Sequence, residues 1–247
     1  MGVKHPMRFA ALSAAFFFMQ QSDATVWMVK PSDDLQTVID HAVSNDTLQL
    51  GNGTWKANPV LYNDPFCGNC LDSSIGASAT IGFIVQKNLT LQGTSSDSTI
   101  LETNAGYGIF IAPQKPKEQN LKVHLSNLRV TGGIRDIDGN ETDAEIVIRN
   151  SEVTIRNCTI SGNTHRADSV IVGIAGIAGR EGAILKVEDC IIRNNGWDGI
   201  ALYRGTRARI VDVTIEKGRG AGIGITWDAQ AEIIRTTVSD YWKGIGT

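Results

Sequence analysis

Four segments in the second half of the chain share one pattern of apolar and polar positions. They are residues 153–160, 185–192, 208–215 and 231–238. In each segment apolar and polar residues alternate, a polar residue interrupts, and a further apolar pair follows. Alternation of this kind is typical of half-buried β-strands, because successive side chains point to opposite faces. Each segment therefore predicts two short strands that meet at a corner.

The copies recur at a nearly fixed distance. Ile155, Val187, Ile210 and Ile233 occupy one position of the pattern, at offsets of 32, 23 and 23 residues. A period near 23 predicts one coil of a three-sided β-solenoid. Residues 121–130 form a looser fifth copy. Stacking of such coils pairs equivalent strands in parallel and aligns their inward side chains in one apolar column.

A third strand per coil is predicted after a recurrent glycine. Residues 199–202, 222–225 and 244–247 each begin with Gly-Ile. Glycine suits a tight corner, because it tolerates backbone angles that other residues avoid. The chain stops inside the last of these strands, so we expect a solenoid truncated at its C-terminus that associates end to end through its uncapped coil.

One polar corner position recurs between the first two strands of each coil. Asn and Asp side chains can bond the local backbone and tolerate left-handed torsion angles. The corner residues are Asn127, Asn157, Asp189, Asp212 and Arg235. Arg235 departs from the pattern and predicts an outward-pointing corner or a change of coil shape. A calcium site at Asp189 and Asp212 is an alternative to a solvated corner pair, but no motif supplies a third acidic ligand. We therefore expect no metal and no cofactor.

Ahead of the coils, residues 34–43 carry apolar residues at helical spacing, with Ser32 or Asp33 as the N-cap. Such a helix can close the N-terminal end of the solenoid. Its apolar face is formed by Leu35, Val38, Ile39 and Ala42. Polar insertions at 64–80 and 113–120 predict loops that leave the coil corners.

The N-terminus predicts a signal peptide. Lys4 and Arg8 precede the apolar run 9–19, and small residues precede a cleavage position after Ala24. An uncleaved anchor is the weaker alternative, because about 11 apolar residues are too few for the roughly 20 that span a bilayer. We expect residues 1–24 to be removed. Residues 25–247 would then form a single domain that is extracellular or periplasmic, without membrane attachment.

The four cysteines fit an exported chain. Cys67 and Cys70 lie in a polar loop, and a local disulfide is predicted there. A redox-active pair is the alternative, although the strand and helix context of such motifs is missing. Cys158 and Cys190 occupy equivalent repeat positions and are predicted to be small buried residues.

Composition and charge narrow the range of partners that we expect. The 247 residues are 42% hydrophobic, and 23 Lys and Arg face 26 Asp and Glu, for a net charge of -3. This chain can bury a substantial core. It offers no basic field for phosphates, so nucleic acid is not expected as a partner.

The chain resembles the pectin-lyase-like superfamily in its sequence motifs. These are residues 34–41 and 46–54, the signal peptide, and the recurrent polar corner position, which looks like the asparagine ladder of right-handed β-helices. The resemblance implies a right-handed parallel β-helix and a protein that acts on carbohydrates or binds them. The superfamily includes pectate lyases, polygalacturonases, alginate lyases, uronate epimerases, phage tailspikes and adhesins. The matching motifs specify the fold rather than the chemistry. A Gly-His-Gly turn and an Asp-Pro-His segment, which polygalacturonase-like and alginate-epimerase-like sites would show, do not occur in the sequence.

Candidate site residues cluster around the third-side strands. Coils rise by about 4.8 Å, so side chains from adjacent coils can share one groove. Aromatic rings offer apolar faces to sugars, and Arg or Lys can hold uronate carboxylates. The catalytic candidates are Asp198, Arg204, Arg219 and Asp228, and the substrate-binding candidates are Trp197, Tyr203, Trp227, Trp242 and Lys243. The alternative is that these aromatic residues shield the solenoid edge and the charges form solvated pairs.

A second constellation, His165, Arg166 and Asp168, precedes a predicted strand at 170–172. An Arg or His could abstract the proton beside a uronate carboxylate. The alternative is a polar loop without a catalytic role.

Two functions follow from the sequence. The first is a secreted lyase or hydrolase that acts on an acidic polysaccharide. The second is a non-catalytic carbohydrate-binding or surface adhesion solenoid. A polysaccharide is the expected partner in both.

Overall fold

The computed structural model describes residues 24–72, 74–115, 121–135, 143–163 and 174–247. Nearly all of the predicted signal peptide lies outside the described residues, as do His165, Arg166 and Asp168. Within the described ranges, no helix is both long and apolar enough to cross a membrane.

The described residues form one α-helix and 23 β-strands. The helix α1 is Leu35–His41. The strands are β1 (Val26–Val29), β2 (Asp46–Leu50), β3 (Gly53–Lys56), β4 (Val60–Asp64), β5 (Ala77–Val85), β6 (Leu89–Gln92), β7 (Thr99–Glu102), β8 (Tyr107–Ile111), β9 (Leu121–Ser126), β10 (Arg129–Thr131), β11 (Ala144–Arg149), β12 (Ser151–Arg156), β13 (Thr159–Ser161), β14 (Ala175–Arg180), β15 (Ile184–Glu188), β16 (Ile191–Arg193), β17 (Ile200–Leu202), β18 (Arg207–Val211), β19 (Thr214–Glu216), β20 (Ala221–Ile225), β21 (Gln230–Ile234), β22 (Thr237–Ser239) and β23 (Lys243–Gly246).

These strands form three sheets. Sheet A has the order β1-β2-β6-β9-β12-β15-β18-β21, sheet B β3-β7-β10-β13-β16-β19-β22, and sheet C β4-β5-β8-β11-β14-β17-β20-β23. Neighbouring strands pair in parallel except β4 and β5, which pair antiparallel at the edge of sheet C. Each coil passes from sheet A through a first corner to sheet B, through a second corner to sheet C, and through a third corner to the next coil.

The strand register confirms the repeat. Ile155 pairs with Val187, Val187 with Ile210, and Ile210 with Ile233. The third-side strands align in the same way, with Ile200 opposite Ile223. Their side chains join one core cluster that runs along the inside of the coils. The predicted three-sided β-solenoid is therefore confirmed.

The first corner faces outward. Its residues adopt left-handed backbone angles, with φ between 46° and 56° at Asn127, Asn157, Asp189, Asp212 and Arg235. The corner N–H groups of the first four donate to carbonyls of the next coil at 3.1–3.2 Å, so the backbone ladder continues around the bend. Arg235 reaches back to the Asp212 carboxylate with Nε and Nη2, at 2.7 and 2.6 Å. This outward contact matches one of the two predictions for Arg235.

The buried asparagine ladder lies elsewhere. At the second corner, Asn163 Nδ2 donates to Asn195 Oδ1 at 2.6 Å, and both side chains are buried. Asn163 Oδ1 in turn accepts the Gly133 N–H at 3.1 Å. The sequence likened the first-corner residues to an asparagine ladder, and their left-handed backbone angles agree with the prediction, but the buried Asn-to-Asn hydrogen bond lies at the second corner.

The N-terminal helix is present, with a different cap. Asp34 is the N-cap, and its carboxylate accepts the Thr37 N–H at 2.7 Å. Leu35 and Ile39 pack into the core cluster, and Gln36 bonds to the backbone of Ile84 in β5. The preceding strand β1 pairs with β2, which the sequence pattern did not indicate.

One predicted boundary is corrected. The insertion 64–80 is not only a loop, because its last residues 77–80 open β5, which pairs with β4. The strand predicted at 170–172 lies outside the described residues, and the described third-side strand of this coil is β14, where Ile177 pairs with Ile200.

Candidate functional site

The insertion between β3 and β5 packs on the outer face of sheet C. It builds a second apolar cluster on that face, separate from the solenoid interior. Phe110, Val147, Ala178 and Ala201 follow one another in the strand register at the centre of this face. All four are at most 1% exposed. The outer face of sheet C is therefore buried as far as β17, and Tyr62 of the insertion packs against this cluster.

A buried ion network fixes the insertion in place. Asp64, at the end of β4, is 1% exposed. Its Oδ1 accepts from Arg149 Nη1 at 2.7 Å, and its Oδ2 accepts from Arg180 Nη2. The Tyr107 hydroxyl also donates to Oδ2, at 3.3 Å. Several donors on one buried carboxylate offset much of its desolvation cost.

The disulfide loop, defined here as residues 66–72, extends this cover. Cys67 and Cys70 form the predicted disulfide, with a Cα–Cα distance of 5.4 Å. Arg204 donates from Nε to the Gly68 carbonyl at 3.2 Å and from Nη2 to the Cys70 carbonyl. The same guanidinium lies 4.2 Å from the centre of the Trp227 ring. Arg204 is thus held by the loop rather than free to meet a substrate.

Next to the loop, a groove of about 210 Å³ lies over the last described strands of sheet C. We call it the sheet C groove. Gly224 and Gly246 continue the outer column of Ala178 and Ala201 and form its floor. Its lining residues are Trp197, Asp198, Gly220, Ala221, Gly224, Thr226, Trp242, Lys243, Gly246 and Thr247.

Asp198 lies at the base of this groove and is 9% exposed. Burial raises the pKa of its carboxyl to about 6, although the Ala221 N–H, which donates to Oδ1 at 2.6 Å, and the Lys243 charge lower it. A Cβ at Gly220 would overlap Asp198 Oδ1, and a Cβ at Gly224 would lie 3.0 Å from Oδ2. The two glycines therefore make room for the carboxylate.

Two aromatic side chains flank Asp198. Trp197 is half-buried, whereas Trp242 is 80% exposed. Lys243 follows Trp242 and is exposed on the same rim. The sheet C groove thus brings together an aromatic face, a cation and a weakly acidic carboxyl above a floor of backbone atoms.

A second groove of about 360 Å³ lies at the second corner. Its lining residues are Asn163, Asn194, Asn195, Gly196, Lys217, Gly218, Arg219 and Asp240. The Arg219 and Gly220 N–H groups both donate to the Trp197 carbonyl, at 3.3 and 3.4 Å. Because Arg219 lines this groove and Gly220 lines the sheet C groove, the two depressions are neighbours.

The sequence-predicted site residues are divided among three places. Trp197, Asp198, Trp242 and Lys243 meet in the sheet C groove, and Arg219 lines the second-corner groove. The remaining four candidates lie at the third corner, away from the lining of the sheet C groove, and are Tyr203, Arg204, Trp227 and Asp228. The described residues contain no group of three or more His, Cys, Asp or Glu side chains arranged to hold a metal ion.

Residues of the third corner have structural contacts. Trp227 Nε1 donates to Asn69 Oδ1 at 3.3 Å, and Asp228 Oδ1 accepts the Gly205 N–H at 2.7 Å. Tyr203 points outward, as alternation predicts, but is only 5% exposed because it packs in the apolar cluster on the outer face of sheet C. The sequence placed Trp227 in one strip with Trp197 and Trp242, whereas the structure assigns it to the opposite edge of sheet C.

One buried acid was missed by the sequence reasoning. Glu145 falls in a register column that is otherwise glycine, between Gly108 and Gly176. Its side chain is fully buried, and burial raises its pKa to about 8. Thr103 Oγ1 donates to Glu145 Oε1 at 2.8 Å. If β11 and β14 had been recognised in the sequence, alignment of the third-side strands would have shown this glutamate in a column of glycines.

Two solved pectin methylesterase structures are similar to this chain at low identity. A pectin methylesterase mutant in complex with a hexasaccharide aligns with a TM-score of 0.44 and 10% identity, covering 89% of this chain and 80% of that chain. Pectin methylesterase PemA from Erwinia chrysanthemi aligns with a TM-score of 0.45, 10% identity and the same coverage. No curated protein matches. The family model described as the right handed beta helix region matches residues 82–246, which is more than half of the chain. The chain therefore belongs to the right-handed β-helix family, and the predicted handedness is confirmed.

Proposed function

We propose that the protein binds an acidic polysaccharide in the sheet C groove. The observation that carries the proposal is the exposed Trp242 beside Trp197 and Lys243, above a floor of Gly224 and Gly246. Sugar rings pack their apolar faces on aromatic side chains. Glycine lets a ligand approach the backbone closely. A lysine ammonium at the rim can pair with a uronate carboxylate.

The second-corner groove extends the positive surface. Lys217 and Arg219 line it and are exposed, together with one acid, Asp240, while the sheet C groove contributes Lys243. A chain of uronate residues carries one carboxylate per sugar, so neighbouring units can meet these cations in turn. This favours an acidic polymer over a neutral one, and it predicts that affinity falls as salt screens the exposed charges.

Calorimetric titration with polygalacturonate, alginate and a neutral glucan tests the proposal. We expect binding to the two acidic polymers. Trp242→Ala should weaken it about two- to tenfold, since an aromatic contact contributes about 0.5–1.5 kcal/mol. Lys243→Ala should weaken it less and reduce its salt dependence. Leu61→Ala, at a residue 89% exposed on β4, and Lys122→Ala, at an exposed lysine of sheet A, are the matched controls. Failure of all three polymers to bind would refute the proposal.

Catalysis is the second candidate function, and Asp198 is the observation that favours it. A carboxyl with a pKa of about 6 keeps its proton in mildly acidic solution and can act as a general acid toward a glycosidic oxygen. Hydrolysis by the usual mechanisms needs a second carboxylate, and Asp198 is the only acidic side chain among the described residues that line the groove. Binding is therefore the preferred function.

Product formation separates the two candidates. Incubation with each uronan, followed by a reducing-end assay and by ultraviolet absorbance of unsaturated uronates, reports hydrolysis and elimination. An enzyme that uses Asp198 would lose turnover in Asp198→Asn while retaining polymer binding. If the protein only binds the polymer, neither the wild-type protein nor Asp198→Asn would release products.

We also propose that the protein is exported and that its mature form begins at Thr25. The small residues before this position and the preceding apolar run support the proposal. The Cys67–Cys70 disulfide supports it further, because disulfides persist in oxidising compartments. N-terminal sequencing of the protein from the culture medium or periplasm is the test. Recovery only from the cytosol, with Met1 retained, would contradict export.

A further inference from the structure

Two cysteines are stacked in successive coils just after the first corner. Cys158 and Cys190 each follow the corner residue of their coil. Before the pair, the Asn157 N–H donates to the Glu188 carbonyl at 3.2 Å, and after it the Ile191 N–H donates to the Cys158 carbonyl at 3.0 Å. Because the backbone ladder is intact on both sides, the two cysteines lie directly opposite each other. Their Cα atoms are one coil rise apart, which is about 4.8 Å.

Both side chains belong to the solenoid interior. Each cysteine is 2% exposed, which confirms the prediction that they are buried. In the same interior column Leu128 precedes the pair and Val213 follows it, and both are at most 1% exposed. The two thiols are in hydrogen-bonding contact with each other. The column thus places two thiol groups side by side between apolar neighbours.

The backbone at this position already fits a disulfide. Cysteines that share a disulfide have Cα atoms about 4.4–6.8 Å apart, and the coil rise lies within that range. The Cys190 sulfur leans toward the coil of Cys158, since it lies 3.5 Å from the Ile155 carbonyl oxygen. Bond formation therefore requires rotation of the side chains and no rearrangement of the strands.

We propose that Cys158 and Cys190 form a disulfide site that links two successive coils. Both thiols are free in the structure. The oxidant is a small disulfide such as oxidised glutathione. One cysteine thiolate attacks it and releases a first thiol, and the second cysteine thiolate then displaces the other half of the oxidant. The two cysteines lose two protons and two electrons, and the oxidant becomes two thiols.

The link is independent of polysaccharide binding and acts on the solenoid itself. Each coil of a solenoid contacts mainly its neighbours, so a covalent bond between two coils opposes their separation. It also constrains the unfolded chain, which stabilises the folded one. An oxidising compartment, which the proposed export would supply, favours the bonded form.

Peptide mapping of the wild-type protein tests the site. The purified full chain is equilibrated with oxidised glutathione in urea below the unfolding transition, where local openings admit the oxidant. It is then alkylated with N-ethylmaleimide under denaturing conditions and digested with trypsin. Cleavage after Lys and Arg separates the four cysteines into three peptides, which are 157–166 with Cys158, 187–193 with Cys190, and 57–87 with Cys67 and Cys70.

The three peptides report the two disulfides independently. We expect mass spectrometry to find 157–166 joined to 187–193. Recovery of both peptides with alkylated thiols or with glutathione attached would overturn the proposal. Peptide 57–87 is the internal control, because its Cys67–Cys70 disulfide shows that the conditions oxidise this protein.

Thermal unfolding measures the effect of the link. The double variant Cys67→Ser with Cys70→Ser leaves Cys158 and Cys190 as the only cysteines. After oxidation, we expect reductant to lower its thermal midpoint by roughly 5–15 °C. The same variant with Cys190→Ala added is the matched control, and its midpoint should not respond to reductant. A double variant with the same midpoint in both redox states would overturn the stabilising role of the link.

Discussion

Replacement of Glu145 by Gln tests directly whether this buried side chain keeps its proton in the folded protein. Glu145 is fully buried at a position that is glycine in the neighbouring coils, and burial raises its pKa from 4.5 to about 8. The folded protein therefore keeps this proton over a pH range in which the unfolded chain has released it. A glutamine occupies nearly the same volume and carries no titratable proton.

The magnitude follows from the two pKa values. Because the folded-state pKa is raised, the stability gained from the bound proton is fully present below pH 4.5 and is lost as the pH rises toward 8. Each pKa unit corresponds to 1.36 kcal/mol, so the full loss is on the order of 5 kcal/mol, and about 3 kcal/mol of it falls between pH 5 and 7. A fully buried group receives no solvent screening that would reduce this figure.

Urea unfolding at several pH values between 5 and 8, followed by circular dichroism, measures the effect. The free energy of unfolding of the wild-type protein should fall relative to Glu145→Gln by about 3 kcal/mol from pH 5 to 7. Glu216→Gln, at a half-buried glutamate of β19, is the matched control. Parallel curves for wild type and Glu145→Gln would refute the assignment of a neutral buried acid.

Three further outcomes are expected. Arg180→Ala leaves Asp64 buried without one of its charged partners and should lower the free energy of unfolding by about 3–5 kcal/mol. The expected signs are a lower thermal midpoint and early proteolysis in the disulfide loop. An unchanged midpoint would contradict the ion network. Binding of acidic polysaccharide should strengthen as the pH falls through about 6, because Asp198 then loses its repulsive charge, and Asp198→Asn should abolish this dependence. Gly224→Val fills the groove floor near Asp198 and should abolish binding in the same titration while circular dichroism remains unchanged.

The repeat was predictable because its signal is local and periodic. Ile155 and Val187 stand in the same context of alternating neighbours, so alignment alone places them in one column, and the register agrees. The glycines before the third-side strands could be recognised for the same reason.

The cover on sheet C could not be predicted in this way. Asp64 meets Arg149 and Arg180 at separations of 85 and 116 residues, and these contacts occur once rather than in every coil. Alternation correctly points Tyr203 outward but gives no sign that the outer face of sheet C is itself buried there. The same long-range packing occupies Arg204, whose spacing suggested a catalytic role.

At the outward first corner the backbone bend does not depend on one type of side chain. Asn157, Asp189, Asp212 and Arg235 differ in size and charge, yet the same backbone angle and, in the first three, the same N–H bond to the following coil recur. Their spacing of about 4.8 Å follows from strand pairing alone. Charges, tags or mineral-binding groups can therefore be introduced along this edge, one per coil. Each replacement must tolerate left-handed torsion angles.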